Sequence, residues 1–264
     1  MARVSFKKYQ GLGNDFIVVD LERDQLADGV VEKWCDRHFG IGADGVLFVG
    51  PPKTGRAAAA MTIINADGSR PEMCGNGIRC VAVHVASRDR RDKADMLIDT
   101  DAGTLECKRD GEFVEVDMGP LSDHGPIEVP LGDEVHRFAR FSTGNPHAIT
   151  FDLYESAQID EVGPKVTVAP AFPEGTNVEF ARLRDDGAID LVVWERGVGR
   201  TMACGTGACA TVGAACFARR RSFDEFVDVH LPGGTLQILV KRDSLHAIMR
   251  GPARLVFQGE VELS

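Results

Sequence analysis

The chain has 264 residues, of which 44% are hydrophobic and 27% are charged. This composition is close to that of average globular proteins, and it excludes the fibrous and fully disordered classes. The formal net charge of −10 disfavours a nucleic-acid partner, because an acidic protein repels a phosphate backbone. No apolar stretch is long enough to span a bilayer and residues 1–10 contain no apolar signal region, so we expect no membrane partner.

Cysteine usage indicates a reducing compartment. The chain contains seven cysteines, an odd number, and none of them forms a C-x-x-C pair. No pair of histidines stands at zinc spacing either. We therefore expect reduced thiols, a cytoplasmic location and no bound metal.

In the first half of the chain, short apolar runs at 16–20 and 46–49 predict buried strands. Apolar residues recur at helical spacing over 30–38, which predicts a surface helix with one buried face. A mostly apolar run at 78–87, followed by arginines, predicts a central helix. Segments 96–100 and 104–108 predict a hairpin.

The second half repeats this pattern. The run 208–218 is small and apolar and is again followed by arginines, which predicts a second central helix. Segments 227–231 and 235–240 flank a Pro-Gly-Gly turn and predict a hairpin. The last segment, 254–263, resembles a strand, and we expect it to return to the first half.

An internal repeat explains this similarity. Short motifs recur in the same order at an offset of 130 to 133 residues, among them Gly13-Asn14 as Gly144-Asn145, Cys74-Gly75-Asn76-Gly77 as Cys204-Gly205-Thr206-Gly207, and Gly103-Thr104-Leu105 as Gly234-Thr235-Leu236. Two copies of one fold follow from this order. We expect domains at 1–119 and 120–251, with 252–264 joining the first domain.

The repeated cysteines stand immediately before the two central helices. Glycines after each cysteine let backbone amides approach a ligand, and the start of a helix favours an anion or a thiolate. Two facing helix starts would hold a carboxylate with one sulfur on each side. Inversion of a carbon next to a carboxylate needs a base on one face and an acid on the other. The pattern therefore predicts an epimerase or racemase that requires neither pyridoxal phosphate nor a metal.

The motifs around these cysteines resemble those of the diaminopimelate epimerase family. The resemblance covers most of the chain and is carried by 11–16 (GLGNDF), 37–45 (RHFGIGADG), 65–69 (NADGS), 74–79 (CGNGIR), 144–147 (GNPH), 176–177 (TN), 194–197 (WERG), 203–207 (ACGTG) and 231–234 (LPGG). The Cys-Gly-x-Gly motif alone is shared with proline-racemase-like enzymes, whereas the whole set is specific.

The resemblance implies an isomerase that interconverts LL- and meso-2,6-diaminopimelate without a cofactor, in the synthesis of lysine and peptidoglycan precursors. It implies an α+β fold of two pseudo-symmetric domains, each a curved, mostly antiparallel sheet around a central helix. Members of the family are generally cytoplasmic homodimers. The implied partner is therefore the small-molecule substrate and a second copy of the chain.

The resemblance also implies roles for individual residues. Cys74 and Cys204 are the implied acid/base pair, and His147 and Glu195 are implied to modulate their pKa values. The implied substrate-binding residues are Asn14, Asn65, Gly75, Asn76, Asn145, Asn177, Glu195, Arg196, Gly205 and Thr206. A distal carboxylate of the substrate would suit a bidentate arginine.

Two alternatives remain open on the sequence. The first is an enzyme of the same fold that acts on another substrate, such as proline, hydroxyproline, histidine or a phenazine precursor. Glu195-Arg196 argues against proline, which lacks a distal amine and carboxylate. The second is a thiol redox or metal-binding protein that uses the same two cysteines, which a thiol count with metal analysis would test.

Overall fold

The structure is a computed structural model that describes residues 3–262, and it divides into two compact units. The first unit contains the chain up to Val116 and again from Gly251 onward, and the second unit is Asp117–Arg250. Residues 1, 2, 263 and 264 lie outside the described part, so the outer ends of the expected first domain and of the strand at 254–263 fall there.

Within residues 3–262 the strands are β1 (Arg3–Gly11), β2 (Asn14–Val19), β3 (Gly45–Gly50), β4 (Ala59–Asn65), β5 (Lys93–Thr100), β6 (Gly103–Asp110), β7 (Phe113–Pro120), β8 (Ser122–Leu131), β9 (Glu134–Ser142), β10 (Pro146–Thr150), β11 (Asn177–Leu183), β12 (Ile189–Glu195), β13 (Gly199–Arg200), β14 (Val227–Leu231), β15 (Gly234–Val240), β16 (His246–Pro252) and β17 (Arg254–Glu262). The α-helices are α1 (Val30–Cys35), α2 (Gly75–Arg88), α3 (Ser156–Thr167) and α4 (Gly205–Phe217), and Arg23–Gln25 forms a short 3-10 helix. In this part of the chain no helix is both long and apolar enough to cross a membrane.

The two units have the same strand order. In the first unit β17, β1 and β2 pair antiparallel, β2 and β3 parallel, β3 and β4 antiparallel, β4 and β5 parallel, and β5, β6 and β7 antiparallel. In the second unit β8, β9 and β10 pair antiparallel, β10 and β11 parallel, β11 and β12 antiparallel, β12 and β14 parallel, and β14, β15 and β16 antiparallel. This duplication of a mostly antiparallel sheet confirms the α+β fold class.

The strand registers make the duplication exact at the level of single residues. Phe16 of β2 pairs with Gly45 of β3, and in the second unit His147 of β10 pairs with Asn177 of β11. Two residues further along β3 and β11, the equivalent positions are Leu47 and Glu179. Leu47 pairs with Val18 and Ile63, and Glu179 pairs with the equivalent partners Ile149 and Val193.

One helix lies at the centre of each unit. Residues 75–86 of α2 are all buried, and α4 is buried from Gly205 to Cys216 except for Thr206. Helix α2 contacts β1 and β6, and α4 contacts the equivalent strands β9 and β15. Both helices are covered on nearly every side; the sequence of α4 is apolar all round, whereas α2 also buries Asn76, Arg79 and His84.

A second, smaller helix packs outside each sheet. Val30, Val31 and Trp34 of α1 join the apolar core of the first unit. The expected helix at 30–38 ends earlier, at Cys35, because Asp36 leaves the helical conformation and its carboxylate accepts the amides of His38 and Phe39. In the second unit α3 packs its buried apolar face against β11 and β12.

Candidate active site

In the first unit, Cys74 is the residue that begins α2. Its backbone is extended, and its Sγ lies 3.4 Å from the amide nitrogen of Gly77. The Sγ is 3.9 Å from Asn14 Oδ1, and Asn76 Nδ2 donates to that same oxygen at 3.3 Å. The structure therefore brings together Cys74, Asn76 and Asn14 at a half-buried helix start.

A charged network holds the Asn14 side chain from behind. Asn14 Nδ2 donates to Asp44 Oδ2 at 2.6 Å, and the guanidinium of Arg37 bridges Asp44 and Asp15 at 2.7 Å each. The amine of Lys8, which is 6% exposed, contacts Asp15 at 2.5 Å. Burial of Asp15 opposes its ionisation, but Arg37 and Lys8 outweigh burial and lower the pKa of this carboxyl. Sequence reasoning did not assign these four residues a role, although three of them lie in motifs shared with the family.

Asn65 ends β4 in the same unit. Its Nδ2 donates to Ser69 Oγ at 2.9 Å, and its backbone amide donates to the Ser69 carbonyl. These bonds close the turn that follows the strand, so the structure gives Asn65 a turn-forming role and its substrate-binding role stays a prediction.

In the second unit, Cys204 begins α4 with the same geometry. Its backbone is extended, and its Sγ lies 3.4 Å from the amide nitrogen of Gly207. Thr206 Oγ1 lies 3.4 Å from the same sulfur, and Asn145 Nδ2 donates to Thr206 Oγ1 at 3.4 Å. Cys204 is 7% exposed, so this thiol is more buried than its equivalent in the first unit.

His147 lies behind Asn145 and is bonded at both ring nitrogens. Its Nε2 is 3.1 Å from Asn145 Oδ1, and its Nδ1 is 2.6 Å from Glu179 Oε1. The side chains of His147 and Glu179 are both 0% exposed. Sequence reasoning missed Glu179, although the period of two along β11 places it on the same face as Asn177.

Glu195 lies at the end of β12, close to Cys204. Burial raises the pKa of its carboxyl, the Thr201 hydroxyl at 2.6 Å lowers it, and the nearby Glu179 raises it again. For Cys204, burial is the largest influence on the pKa, and the two carboxyls of Glu195 and Glu179 add to it. Together they raise the pKa of this thiol well above 9.0, against the opposing effects of Thr206 and the Gly207 amide.

Arg196 and Asn177 lie beside this cluster. Asn177 Oδ1 accepts the Arg196 amide at 2.9 Å, and its Nδ2 donates to the Pro146 carbonyl at 3.1 Å. The exposed guanidinium of Arg196 donates to the Glu174 carbonyl at 2.6 Å. Asn177 therefore fixes the backbone that carries Arg196, while the guanidinium is reachable from solvent.

The raised pKa predicts slow alkylation of Cys204. Only a thiolate reacts readily, so iodoacetamide should label Cys204 at a rate that increases with pH and reaches half its maximum only above pH 9. The measurement uses a Cys74→Ser variant and quantifies the peptide that contains Cys204 by mass spectrometry. Rapid labelling of Cys204 at pH 7 would contradict this assignment.

Comparison with solved structures shows which class of enzymes shares this fold. A hydroxyproline epimerase from Agrobacterium vitis superposes with a TM-score of 0.77, covering 98% of this chain and 92% of that chain. At 16% identity this likeness shows the fold alone. The chain thus has the duplicated fold found among amino-acid epimerases.

Sequence comparison narrows the class to one family. A family model described as diaminopimelate epimerase matches residues 6–123 and 140–256. A diaminopimelate epimerase of Synechococcus elongatus is 41% identical, covering 99% of both chains. A chloroplastic diaminopimelate epimerase of rice is also 41% identical, covering 96% of this chain and 79% of that protein. The chain belongs to the diaminopimelate epimerase family.

Proposed function

We propose that this protein interconverts LL- and meso-2,6-diaminopimelate by proton transfer at one α-carbon, without a cofactor. The observation that carries the proposal is the repeated helix start. Cys74 and Cys204 have the same backbone conformation, and each sulfur lies 3.4 Å from the amide of the third residue after it. Two equivalent thiols satisfy a reaction that needs a base and an acid.

The electrostatics of the second unit support one choice of starting roles for the two thiols. Two carboxyls lie near Cys204 and favour its thiol form. We therefore assign Cys204 the role of acid in the step that starts from the free enzyme. Cys74 is then the base. Its thiolate takes the α-proton, the electron pair of the C–H bond moves into the carboxylate, and the Cys204 thiol protonates the opposite face of the carbon. The products are a Cys74 thiol and a Cys204 thiolate, which are the starting state for the reverse reaction.

The first turns of the helices supply the binding groups for the reacting carboxylate. The first four amides of an α-helix have no partner within that helix, and its dipole favours an anion there. We assign this role to the amides of Gly75 and Asn76 and to those of Gly205 and Thr206. Hydrogen bonds to the carboxylate strengthen as it gains negative charge in the transition state.

We propose that recognition of the distal end of the substrate comes from Glu195 and Arg196 of the second unit. Glu195-Arg196 has no equivalent in the first repeat, where Asn65-Ala66 occupies these positions. Arg196 would bind the distal carboxylate and Glu195 the distal amine. Asn14, Asn65, Asn145 and Asn177 complete the proposed set of binding residues, and His147 and Glu195 are the proposed modulators of the thiols.

The proposal is tested with a panel of L-amino acids. The purified protein should convert LL-diaminopimelate to the meso isomer. Its kcat/KM for proline, trans-4-hydroxyproline and histidine should be at least a hundredfold lower than for diaminopimelate. Chiral chromatography of timed samples measures each rate. Faster turnover of proline or histidine would assign the protein to another activity of the same fold.

We also propose that the protein works as a homodimer in the reducing cytoplasm. All seven cysteines fall in the described part of the chain and none forms a disulfide there, which suits a reducing compartment. The proposal of a dimer rests on the family alone. Light scattering after gel filtration should give twice the chain mass of 28.6 kDa, and a mass of one chain would contradict it.

A further inference from the structure

The two repeats differ in one buried pair of side chains beneath the cysteine. In the first unit this pair is Phe16 and Leu47, which are 1% and 0% exposed. In the second unit the equivalent positions hold His147 and Glu179, joined by a 2.6 Å contact. The same backbone therefore accepts an apolar pair in one copy and an ionisable pair in the other.

The helix-start glycines show that one of these two positions, Leu47 or Glu179, borders the start of the helix that carries the cysteine. A Cβ added to Gly77 would lie 3.0 Å from Leu47 Cδ2. A Cβ added to the equivalent Gly207 would lie 2.8 Å from Glu179 Oε1 and 3.3 Å from Cys204 Sγ. One small space at the start of α4 thus borders both the Glu179 carboxyl and the Cys204 sulfur.

The buried pair is not what the packing of the fold requires. Burying ionisable groups is costly, and replacing such a pair with apolar residues of similar size is often neutral or stabilising. Glu179 Oε2 has no hydrogen-bond partner within residues 3–262, so the burial is only partly compensated. The first repeat holds Phe and Leu at these positions, so packing alone does not explain Glu179 and His147. We therefore infer that the pair acts on the nearby thiol.

A chain of hydrogen bonds connects Glu179 to the sulfur. Glu179 Oε1 contacts His147 Nδ1 at 2.6 Å, and His147 Nε2 contacts Asn145 Oδ1 at 3.1 Å. Asn145 Nδ2 donates to Thr206 Oγ1 at 3.4 Å, and Thr206 Oγ1 lies 3.4 Å from Cys204 Sγ. The His147 ring, the Asn145 amide and the Thr206 hydroxyl therefore form one continuous series of contacts from Glu179 to Cys204.

We propose that Glu179 is a positioning residue for the epimerisation proposed above: through His147 and Asn145 it fixes the helix-start groups around Cys204 and keeps Cys204 a thiol until substrate binds. The titratable groups near Cys204 are Glu179 on β11 and Glu195 on β12, and His147 on β10 contacts Glu179. Burial raises the pKa of Glu179, and the contact with His147 partly offsets this.

The first test transfers the apolar pair of the first repeat into the second. The double variant His147→Phe/Glu179→Leu should fold and should melt at the wild-type temperature or higher. Its kcat should fall at least a hundredfold. A melting temperature well below that of the wild type would show that the pair stabilises the fold. An unchanged kcat would show that the pair does not act on the thiol. Either result overturns the proposal.

The second test isolates the carboxyl. Glu179→Gln keeps the size of the side chain but removes its charge, so kcat should fall about tenfold while KM changes less than twofold. In the Cys74→Ser background, the pH midpoint for alkylation of Cys204 should fall, because one of the two carboxyls that raise its pKa is gone. Glu161→Gln, at an exposed position on α3, removes the same charge elsewhere in the unit and should change neither quantity.

The two readouts separate this inference from the proposed function. Alkylation reports on Cys204 even if the protein does not act on diaminopimelate, so a failed epimerase assay would leave this test intact. An unchanged alkylation midpoint in Glu179→Gln would overturn the inference while leaving the proposed function standing.

Discussion

Replacing either Cys74 or Cys204 with alanine is expected to abolish turnover. Inversion needs proton transfer at both faces of the carbon, so one remaining thiol cannot complete it. Each variant should lose at least the ~10²–10⁴-fold that a general acid or base contributes. The measurement is kcat on LL-diaminopimelate and, separately, on the meso isomer.

Serine variants are the matched controls for these substitutions. Each cysteine sulfur lies 3.4 Å from a backbone amide of its helix and caps the start of that helix. Substitution with alanine removes this cap and should lower the free energy of unfolding by about 0.5–2 kcal/mol. Serine keeps a cap and supplies a poorer acid and base, so Cys74→Ser and Cys204→Ser should fold normally and retain a trace of activity. An alanine variant that keeps more than about a tenth of the wild-type rate would exclude the mechanism with two thiols.

The second large effect is expected at Arg196. Its guanidinium presents a planar set of donors that can bind a carboxylate through two parallel hydrogen bonds, and lysine cannot copy this geometry. Arg196→Lys should lower kcat/KM for diaminopimelate by about 2 kcal/mol, or roughly thirtyfold. Alkylation of Cys204 should be unchanged, because the substitution acts on the distal end of the substrate.

Arg200→Lys is the control for this prediction. Arg200 is also an arginine of the second unit, and it bonds Asp160 at 2.5 Å on the outer helix α3. Its substitution should leave kcat/KM within about twofold of the wild-type value, as surface ion pairs contribute little. If Arg196→Lys gives the same small effect as Arg200→Lys, Arg196 does not bind the distal carboxylate.

The sequence predicted the elements whose local pattern is strong. The central helices α2 and α4 and the hairpins β5–β6 and β14–β15 were all recognisable, because apolar runs and Gly-containing turns mark them. The end of α1 was misplaced by three residues, since His38 fits the helical period while Asp36 diverts the backbone. Helix α3 was not predicted, and neither were β8 to β12; Pro164 interrupts the pattern of α3, and Gly125, Pro126 and Pro130 interrupt that of β8.

The internal repeat revealed some residues of the site and hid others. Cys74 and Cys204 were found because the repeat aligns them. Glu179 was missed because the repeat aligns it with Leu47, so an internal comparison makes it look like an ordinary core position. Only the register of β11 against β10 reveals that Glu179 meets His147 rather than another apolar side chain.

The central claim is that one thiolate removes the α-proton while the other thiol delivers a different proton to the opposite face, and solvent isotope exchange tests it most directly. The purified protein is incubated with LL-diaminopimelate in D₂O, and the early products are analysed by NMR and chiral chromatography. We expect meso-diaminopimelate to carry deuterium at the inverted carbon from the first turnover, while the remaining LL substrate keeps its protium, because the two faces exchange protons with different sulfurs. Meso product that retains the substrate's protium at the inverted carbon would contradict the mechanism with two thiols.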